Sequence, residues 1–381
     1  MKGLTKRKVL FLSFITGFLL FFFINLLSHS FVPLSTGAMK IRKSERELME
    51  TLDEALLEEE RLYQGSVPCT GEANATLAEE ISKKVRVLCW VMTQPENHRK
   101  KARHVKATWG KRCNVLLFIS SKEGDSSLPA IALPEGEGRE HLWEKTREAF
   151  RYIYQRHFQD ADWFFKADDD TYVVVENLRF MLLSYDPKDP VYLGCKFQKD
   201  MKSGYMTGGA GYVLSREALD RLVNRAFPNP RKCFDFGLPE DIYIGKCLQS
   251  VGVLGGDSRD PEGGWRFHPF APGDHLDPFE EDLRMPEWFN GYTAYPHQRG
   301  VHCCSSAAVS FHYVTPWNMH ALDYFIYRLR PYGVSPIFSL PDPVKSMSGN
   351  RTDVTSSKES VQNDPTREFE GSKSDDVLTI V

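Results

Sequence analysis

The sequence predicts an α/β fold with a mostly parallel central sheet, because strand-like and helical stretches alternate and the central region has the length of one large domain. Apolar stretches of strand length alternate with helical stretches in the middle of the 381-residue chain, and such β-α-β alternation is typical of a parallel sheet covered by helices on both faces. When the two ends of the chain are set aside, residues 81–335 remain, a length that suits one large domain. In open sheets of this kind, ligands bind beyond the carboxyl ends of the strands.

The elements of this domain follow one another in a regular order. In chain order they are a strand at 85–93, a basic helix at 98–111, a strand at 114–121, a helix at 142–161 and a strand at 162–167. Each predicted strand is a short apolar run, and the long helix places its apolar residues on one side. Cys89 and Cys113 belong to neighbouring predicted elements, and we expect them to form a disulfide.

Residues 9–27 form an uncharged apolar run long enough to cross a membrane as one helix. Basic residues precede this run within the short tail 1–8, so the positive-inside rule keeps the tail in the cytoplasm and sends the rest of the chain across. We therefore expect a type II membrane protein. The alternative is a cleaved signal peptide, but the apolar run is longer than the usual core of such a peptide.

The segments that flank the domain differ in character. Within the stem, residues 28–80, the stretch 40–64 predicts a helix with one apolar stripe, which serves either self-association or only as a spacer. The stripe consists of Ile41, Leu48, Leu52, Ala55, Leu56 and Leu62. The tail, residues 336–381, is rich in Ser, Thr, Pro and charged residues and is expected to be disordered.

Composition narrows the class of protein further. The net charge of -3 argues against a dedicated nucleic-acid binder, which carries a clearly basic domain. Eight cysteines in a lumenal chain favour disulfides over metal ligation. The sequons at Asn74 and Asn350 are candidate glycosylation sites in that compartment.

Three adjacent carboxylates follow the apolar strand that ends at Ala167. Asp168, Asp169 and Asp170 repel one another, so a strand end that carries all three favours a compensating cation. Because side chains alternate along extended backbone, Asp168 and Asp170 share a face and Asp169 points away. Oxygen ligands suit Mg²⁺ or Mn²⁺ and leave positions open for phosphate oxygens. The alternative is a solvated acidic turn.

Three further segments fit a transferase that uses a nucleotide-sugar. Glu240 and Asp241 begin a predicted helix and supply either a general base or a complement to the helix dipole. The glycine-rich segment 204–212 lacks the spacing of a P-loop and is expected to let the backbone approach a sugar. His312 lies in a strand-like aromatic segment, 309–314, as a core residue or as a nitrogen ligand for an Mn²⁺-type ion.

Together these motifs resemble one family. The membrane span, KADDDTYVV, GYMTGGAGYVLS, PEDIYIGKC, GDSRD, CCSSAAVSFHYV and YRLRPYG are similar to those of the glycoprotein-N-acetylgalactosamine 3-beta-galactosyltransferases, or core 1 synthases, over residues 85–333. The resemblance implies a GT-A-like, inverting, Mn²⁺-dependent enzyme of the Golgi membrane. Its expected reaction moves galactose from UDP-galactose to O3 of GalNAc on Ser or Thr, which makes the core 1 O-glycan. A homodimer and a dedicated folding chaperone are implied partners.

The resemblance also implies roles for individual residues. Asp168, Asp170 and His312 are the expected Mn²⁺ ligands, and Asp241 is the expected base. The expected donor-binding residues are Met92, Glu137, Gly138, Arg139, Lys145 and Asp169. Arg139 and Lys145 are also cations of the kind that recognise a diphosphate, although ordinary surface charge explains them equally well. Trp288 is the expected acceptor-binding residue, by stacking on a sugar, with packing inside its own loop as the alternative.

Two alternatives remain at this point. The first is another fringe-like beta-1,3-glycosyltransferase that uses a different UDP-sugar. The second is a non-catalytic chaperone or lectin, because the same family includes a chaperone that lacks the intact acidic motif. Asp168, Asp169, Asp170 and Asp241 are all present here, which favours an enzyme.

Overall fold

The computed structural model describes residues 72–199, 201–233, 239–278 and 285–329. The apolar run at 9–27, the predicted stem helix at 40–64 and the tail at 336–381 lie outside these residues. Within the described part, no helix is long and apolar enough to span a bilayer. The domain boundaries at 81 and 335 stay predictions.

Short strands and helices alternate along the described chain. The strands are β1 (Val87–Met92), β2 (Val115–Ser120), β3 (Ala130–Ala132), β4 (Trp163–Asp168), β5 (Tyr172–Val173), β6 (Val191–Gly194), β7 (Lys196–Phe197), β8 (Tyr205–Met206), β9 (Tyr212–Ser215), β10 (Leu254–Gly255), β11 (Phe267–His268) and β12 (Ser310–Phe311). The α-helices are α1 (Glu72–Lys84), α2 (Arg103–Ala107), α3 (Leu142–His157), α4 (Val175–Leu182), α5 (Arg216–Arg221), α6 (Glu240–Ser250), α7 (Pro272–Leu276), α8 (Phe289–Tyr292) and α9 (Pro316–Tyr327).

Seven strands form the main sheet in the order β10-β6-β9-β4-β1-β2-β3. The pairs on either side of β1, together with β2-β3 and β10-β6, are parallel, whereas β9 runs antiparallel to both β4 and β6. Six strands therefore point the same way, which confirms the predicted mostly parallel α/β sheet. Met92 pairs with Asp168 at the carboxyl ends of β1 and β4, at the edge where ligands are expected.

Helices cover both faces of this sheet, as the apolar strands require. Successive residues of β1 enter two different cores: Cys89 and Val91 pack in one, and Leu88 and Trp90 in the other. This division follows from the alternation of side chains along a strand. The sequence of a strand that is buried on both faces is a continuous apolar run. The predicted strand at 85–93 therefore starts two residues before β1 and ends one residue after it.

The predicted basic helix at 98–111 is wrong as a single helix. The chain forms a 3₁₀ turn at Pro95–Asn97, a π turn at His98–Ala102, the short α2, and a 3₁₀ turn at Trp109–Arg112. At the end of α2 the buried Thr108 hydroxyl donates to the carbonyl oxygen of His104 at 2.6 Å. Such back-bonding competes with the regular helical pattern.

Two smaller sheets complete the ligand edge. β12 pairs in parallel with β11 and antiparallel with β5, and β7 and β8 form a two-stranded pair. The predicted strand at 309–314 is thus only two residues long. Its continuation is anchored by two backbone bonds: His312 N donates to His268 O at 3.1 Å and Val314 N donates to Asp170 O at 2.9 Å. The last bond places the segment against the acidic triplet.

Three disulfides lie within the described residues. The predicted Cys89–Cys113 bond is confirmed, and Cys233–Cys247 and the adjacent pair Cys303–Cys304 are also bonded. Cys195 is a buried free thiol, and Cys69 is outside the described part of the chain. The even count of cysteines therefore did not mean that every cysteine is paired.

Candidate active site

Asp168, Asp170 and His312 form a compact group at the carboxyl end of β4. Each offers one ligand atom, and these atoms lie within 4.8 Å of one another. His312 Nε2 is 3.2 Å from Asp170 Oδ1 and 3.8 Å from Asp168 Oδ2. The predicted ligand set is therefore brought together by the end of β4 and the segment after β12.

Two lysines already balance part of this negative charge. Lys166 Nζ donates to Asp168 Oδ1 at 2.5 Å, and Lys101 Nζ donates to Asp170 Oδ2 at 2.9 Å. Burial acts to raise the pKa of Asp170, but the hydrogen bonds and charges of His312 and Lys101 outweigh it and lower the pKa below its usual value. Asp170 is thus ionised throughout the physiological range and suited to ligation of a cation.

Asp169 points away from this group, as the alternation predicted. Its Oδ2 accepts hydrogen bonds from Thr93 Oγ1 at 2.8 Å and from Asn97 Nδ2 at 2.9 Å. Burial raises the pKa of Asp169 to about 6, although these bonds and Lys101 oppose the shift. Asp169 therefore ties the end of β4 to the turn after β1.

The acidic pair at the start of α6 divides into two environments. Glu240 is buried, and its Oε1 accepts hydrogen bonds from Tyr212 Oη at 2.6 Å and Thr146 Oγ1 at 3.1 Å. Asp241 is half-buried and accepts only backbone N–H groups, from Gly208 at 3.3 Å and from Ile242 at 2.9 Å. Burial raises the pKa of Asp241, and those backbone bonds reduce the rise. Asp241 is the member of the pair suited to exchange a proton.

Gly208 and Gly209 lie between the acidic pair at the start of α6 and His312 of the candidate metal-ligand group. A Cβ on Gly208 would lie 2.9 Å from Glu240 Oε2, and a Cβ on Gly209 would lie 2.3 Å from the ring of His312. The two glycines therefore make room for side chains of the site itself. We expected them to admit a sugar; the close neighbours that the structure provides are Glu240 and His312.

Five of the expected donor-binding residues lie at the carboxyl end of β1, in the turn before α3 or within α3. Met92 is the last residue of β1, Glu137 and Gly138 precede a 3₁₀ turn, and Arg139 is exposed at its start. Lys145 is 2% exposed, and its Nζ donates to Glu137 Oε2 and to Thr93 O, both at 2.7 Å. In this arrangement Lys145 holds the loop in place, and Arg139 is the cation presented to solvent.

Trp288 belongs to an aromatic cluster that reaches the ligand group. Its ring is 48% exposed and lies 6.4 Å from that of Phe270, which stacks at 6.3 Å on Tyr313. Tyr313 directly follows His312 and has φ 53°, a left-handed value that no other non-glycine residue of the described segments adopts. Such a conformation is costly and common at functional sites. The Trp288 ring also packs against Tyr292 of its own loop at 4.8 Å, so the structure shows the packing alternative, and the contact with a sugar stays a prediction.

The sequence reasoning missed Lys166, Lys101, Thr93 and Asn97. Lys166 had a readable signal, because a lysine inside an apolar strand needs a buried partner and shares a face with Asp168 two residues later. Lys101 had none, because its position depends on the π turn. Thr93 and Asn97 act through contacts between distant parts of the chain.

The donor set fits a divalent transition-metal ion. Two carboxylates and one imidazole suit Mn²⁺, because a nitrogen ligand is unusual for Mg²⁺. Asp168, Asp170 and His312 are the residues that would hold the ion.

Comparisons with known proteins point to the same class of enzyme. A family model described as Fringe-like matches residues 82–256. Glycoprotein-N-acetylgalactosamine 3-beta-galactosyltransferase 1 of Xenopus laevis is 50% identical over 259 residues, which are 68% of this chain and 71% of that protein. The beta-1,3-glucosyltransferase of Mus musculus is 29% identical over 175 residues, 45% of this chain and 35% of that protein.

One solved structure is a distant match. It is a mutant of Drosophila beta-1,4-galactosyltransferase 7 in complex with manganese, UDP-Gal and xylobiose. The match has 14% identity and a TM-score of 0.29 and covers 47% of this chain and 68% of that one.

Proposed function

The chain belongs to the glycoprotein-N-acetylgalactosamine 3-beta-galactosyltransferase family, and from this premise we propose that it makes the core 1 O-glycan. It is a galactosyltransferase, and the proposed reaction moves galactose from UDP-galactose to O3 of GalNAc linked to Ser or Thr of glycoproteins, with inversion. The 50% identity to the Xenopus enzyme supports this assignment. The intact acidic triplet supports an enzyme over the chaperone alternative.

One observation carries the proposal: the candidate base and the candidate metal ligands meet at Gly208 and Gly209. Gly208 N donates to Asp241, and Gly209 lies against the ring of His312. A donor phosphate and an acceptor hydroxyl can therefore be held next to each other at this edge of the sheet. Such proximity is a large part of catalysis by any group-transfer enzyme.

The candidate metal ligands and the candidate base have separate roles in this reaction. A divalent ion held by Asp168, Asp170 and His312 would neutralise charge on the departing UDP. Asp241 accepts the proton of the acceptor hydroxyl as that oxygen bonds to C1 of galactose and the bond from C1 to the UDP oxygen breaks, its electrons leaving with UDP. Burial raises the pKa of Asp241, which makes its carboxylate a stronger base.

The remaining assignments belong to the same proposal. We place the enzyme in the Golgi membrane as a single-pass type II protein anchored by residues 9–27, with the domain in the lumen. Arg139 is proposed to contact the diphosphate, with Met92, Glu137 and Gly138 beside the rest of the donor. Trp288 is proposed to stack on the acceptor sugar.

The test is transfer from a panel of UDP-sugars to GalNAc-Ser and GalNAc-Thr peptides, with Mn²⁺ or with EDTA. We expect product from UDP-galactose alone and only with the metal. Product from UDP-glucose or UDP-GlcNAc instead would favour a different beta-1,3-transferase, a possibility that the glucosyltransferase relative keeps open. Binding of the peptide without transfer from any donor would favour the chaperone or lectin alternative.

A further inference from the structure

Helix α9 carries an apolar face that no described residue covers. Trp317, Tyr324 and Phe325 are 59%, 50% and 58% exposed. Ala321, which is also exposed, Tyr324 and Phe325 follow Trp317 by four, seven and eight residues. This spacing places all four on one side of the helix. We call these four residues the outer face of α9. A contiguous exposed apolar patch of this kind marks an interaction site.

A basic ridge borders the outer face. The ring of His104 in α2 lies 6.5 Å from that of Trp317 and 5.3 Å from that of His320, so this part of the chain runs beside α9. Lys100 and Lys111 are four residues before and seven after His104, and both are exposed. The two lysines lie just before and just after α2, the helix that contacts α9, and we call them the basic ridge. The surface thus combines an apolar stripe with positive charge along one border.

The predicted stem helix has the complementary pattern. Leu48, Leu52, Ala55 and Leu56 repeat the intervals of four, seven and eight residues found on the outer face. Residues 47–60 contain seven acidic side chains and no basic one. The tail 336–381 has neither the periodic stripe nor a comparable acidic block. Matching stripes allow two helices to pack along their length, and the acidic residues oppose the basic ridge.

The end of the stem also lies within reach of α9. The described chain begins at α1, which packs on α4, and Tyr327 at the end of α9 donates a hydrogen bond to Glu176 of α4 at 2.5 Å. α1 and α9 therefore both contact α4. Residues 64–71 span at most about 28 Å when extended, which exceeds the roughly 18 Å length of a twelve-residue helix. A tethered segment at this distance has a high effective concentration.

We propose that residues 47–63 of the stem dock as an amphipathic helix on the outer face of α9 of the same chain. The apolar stripe of the stem covers Trp317, Tyr324 and Phe325, and its acidic residues face Lys100 and Lys111. This contact fixes the orientation of the catalytic domain on its stem. The proposal does not depend on the donor or acceptor of the enzyme.

Photo-crosslinking of the full-length protein in detergent tests the proposal. p-Benzoylphenylalanine replaces Phe325, and in a control it replaces Leu254, which is 57% exposed on the edge strand β10. We expect a product of monomer mass whose linked peptide lies within residues 47–63, formed by the first protein and absent from the second. A product of dimer mass, a link to residues 330–381 or to detergent, or equal links from both positions would each overturn the proposal.

Matched variants of the stem sharpen the result. Leu52→Asp disrupts the stripe and should lower the yield of the link at least about 10-fold, the equivalent of one buried leucine. Leu57→Asp makes the same change on the opposite side of the predicted helix and should leave the yield unchanged. The double variant Lys100→Glu, Lys111→Glu should lower it about 3-fold. Equal loss from Leu52→Asp and Leu57→Asp would contradict docking through the stripe.

Discussion

Lys166 Nζ lies 2.5 Å from Asp168 Oδ1, and this lysine is only 3% exposed. Its second acceptor is Gly208 O at 3.3 Å. Burial acts to lower the pKa of Lys166, but the charges of Asp168, Glu240 and Asp241 outweigh it and raise the pKa. One buried cation therefore serves both the candidate metal ligand and the acidic pair of α6.

Replacing this cation should weaken both the fold and the low-pH activity. Lys166→Met leaves Asp168 and Glu240 without their buried counter-charge, and we expect a loss of about 3 kcal/mol in the free energy of unfolding. Burial raises the pKa of Asp241 and Lys166 opposes the rise, so the variant should move the acidic limb of the pH–rate profile to higher pH.

Urea denaturation and a pH series of kcat/KM measure the two effects. The exposed Lys188 supplies a control, because Lys188→Met should change stability by less than about 0.5 kcal/mol. An unshifted acidic limb in Lys166→Met would contradict the electrostatic link between Lys166 and Asp241.

Removing the base should separate catalysis from binding. Asp241→Asn keeps the shape of the side chain, so we expect unchanged affinity for UDP and Mn²⁺ by calorimetry. Turnover should fall about 100-fold or more, because an amide does not accept the proton of the acceptor hydroxyl. Glu240→Gln is the informative comparison: if it abolished turnover while Asp241→Asn remained active, Glu240 would be the base.

The sequence predicted the parts of this molecule that depend on local pattern. β1 and β4 are apolar runs because both of their faces are buried, and the acidic triplet follows a strand end where ligands bind. The alternation of side chains was enough to assign Asp168 and Asp170 to one face. The pairing of Cys89 with Cys113 also followed from neighbouring elements.

Other features depend on contacts that the local sequence does not encode. The π turn that brings Lys101 to Asp170 interrupts a stretch whose composition predicts one helix. A lysine such as Lys145 is expected at the surface. It is buried here because Glu137 and Thr93 O accept its hydrogen bonds. The roles of Gly208 and Gly209 depend on α6 and on the segment after β12, which are distant in the chain.

The space beside Gly209 should control metal affinity. Gly209→Ala adds a Cβ about 2.3 Å from the ring of His312, so the imidazole has to move away from Asp168 and Asp170. We expect the Mn²⁺ dissociation constant to rise about 10- to 100-fold, the range typical of misplaced ligands. Titration of Mn²⁺ by electron paramagnetic resonance measures it directly.

A second glycine provides the control. A Cβ on Gly273 meets no atom within 4 Å, so Gly273→Ala should leave Mn²⁺ affinity unchanged. If Gly209→Ala bound the ion as tightly as the wild type, His312 would not be required for metal binding.

The buried histidines near β11 should make the fold sensitive to acid. His275 Nδ1 is 3.1 Å from His297 Nε2, and the ring of His268 is 4.9 Å from that of His275. Burial is the main cause that lowers the pKa of His268 to about 4 and of His275 to about 2; His297 adds to both shifts, and His268 adds to that of His275. Below pH 6.5 the unfolded chain therefore binds protons that the folded chain does not, and stability falls as the pH falls towards 4.

Urea denaturation in EDTA at pH 7.5, 6 and 5 should show this loss, with about 4 kcal/mol from His268 and His275 together by pH 5. His275→Phe keeps an aromatic ring among Phe270, Phe289 and Phe311 and removes one titrating group, so the stability lost by pH 5 should be smaller by about 2 kcal/mol. His302 is exposed, and His302→Phe should leave the slope unchanged. Equal slopes for wild type and His275→Phe would mean that the acid sensitivity has another source, because a neutral buried histidine is the only group that this substitution removes.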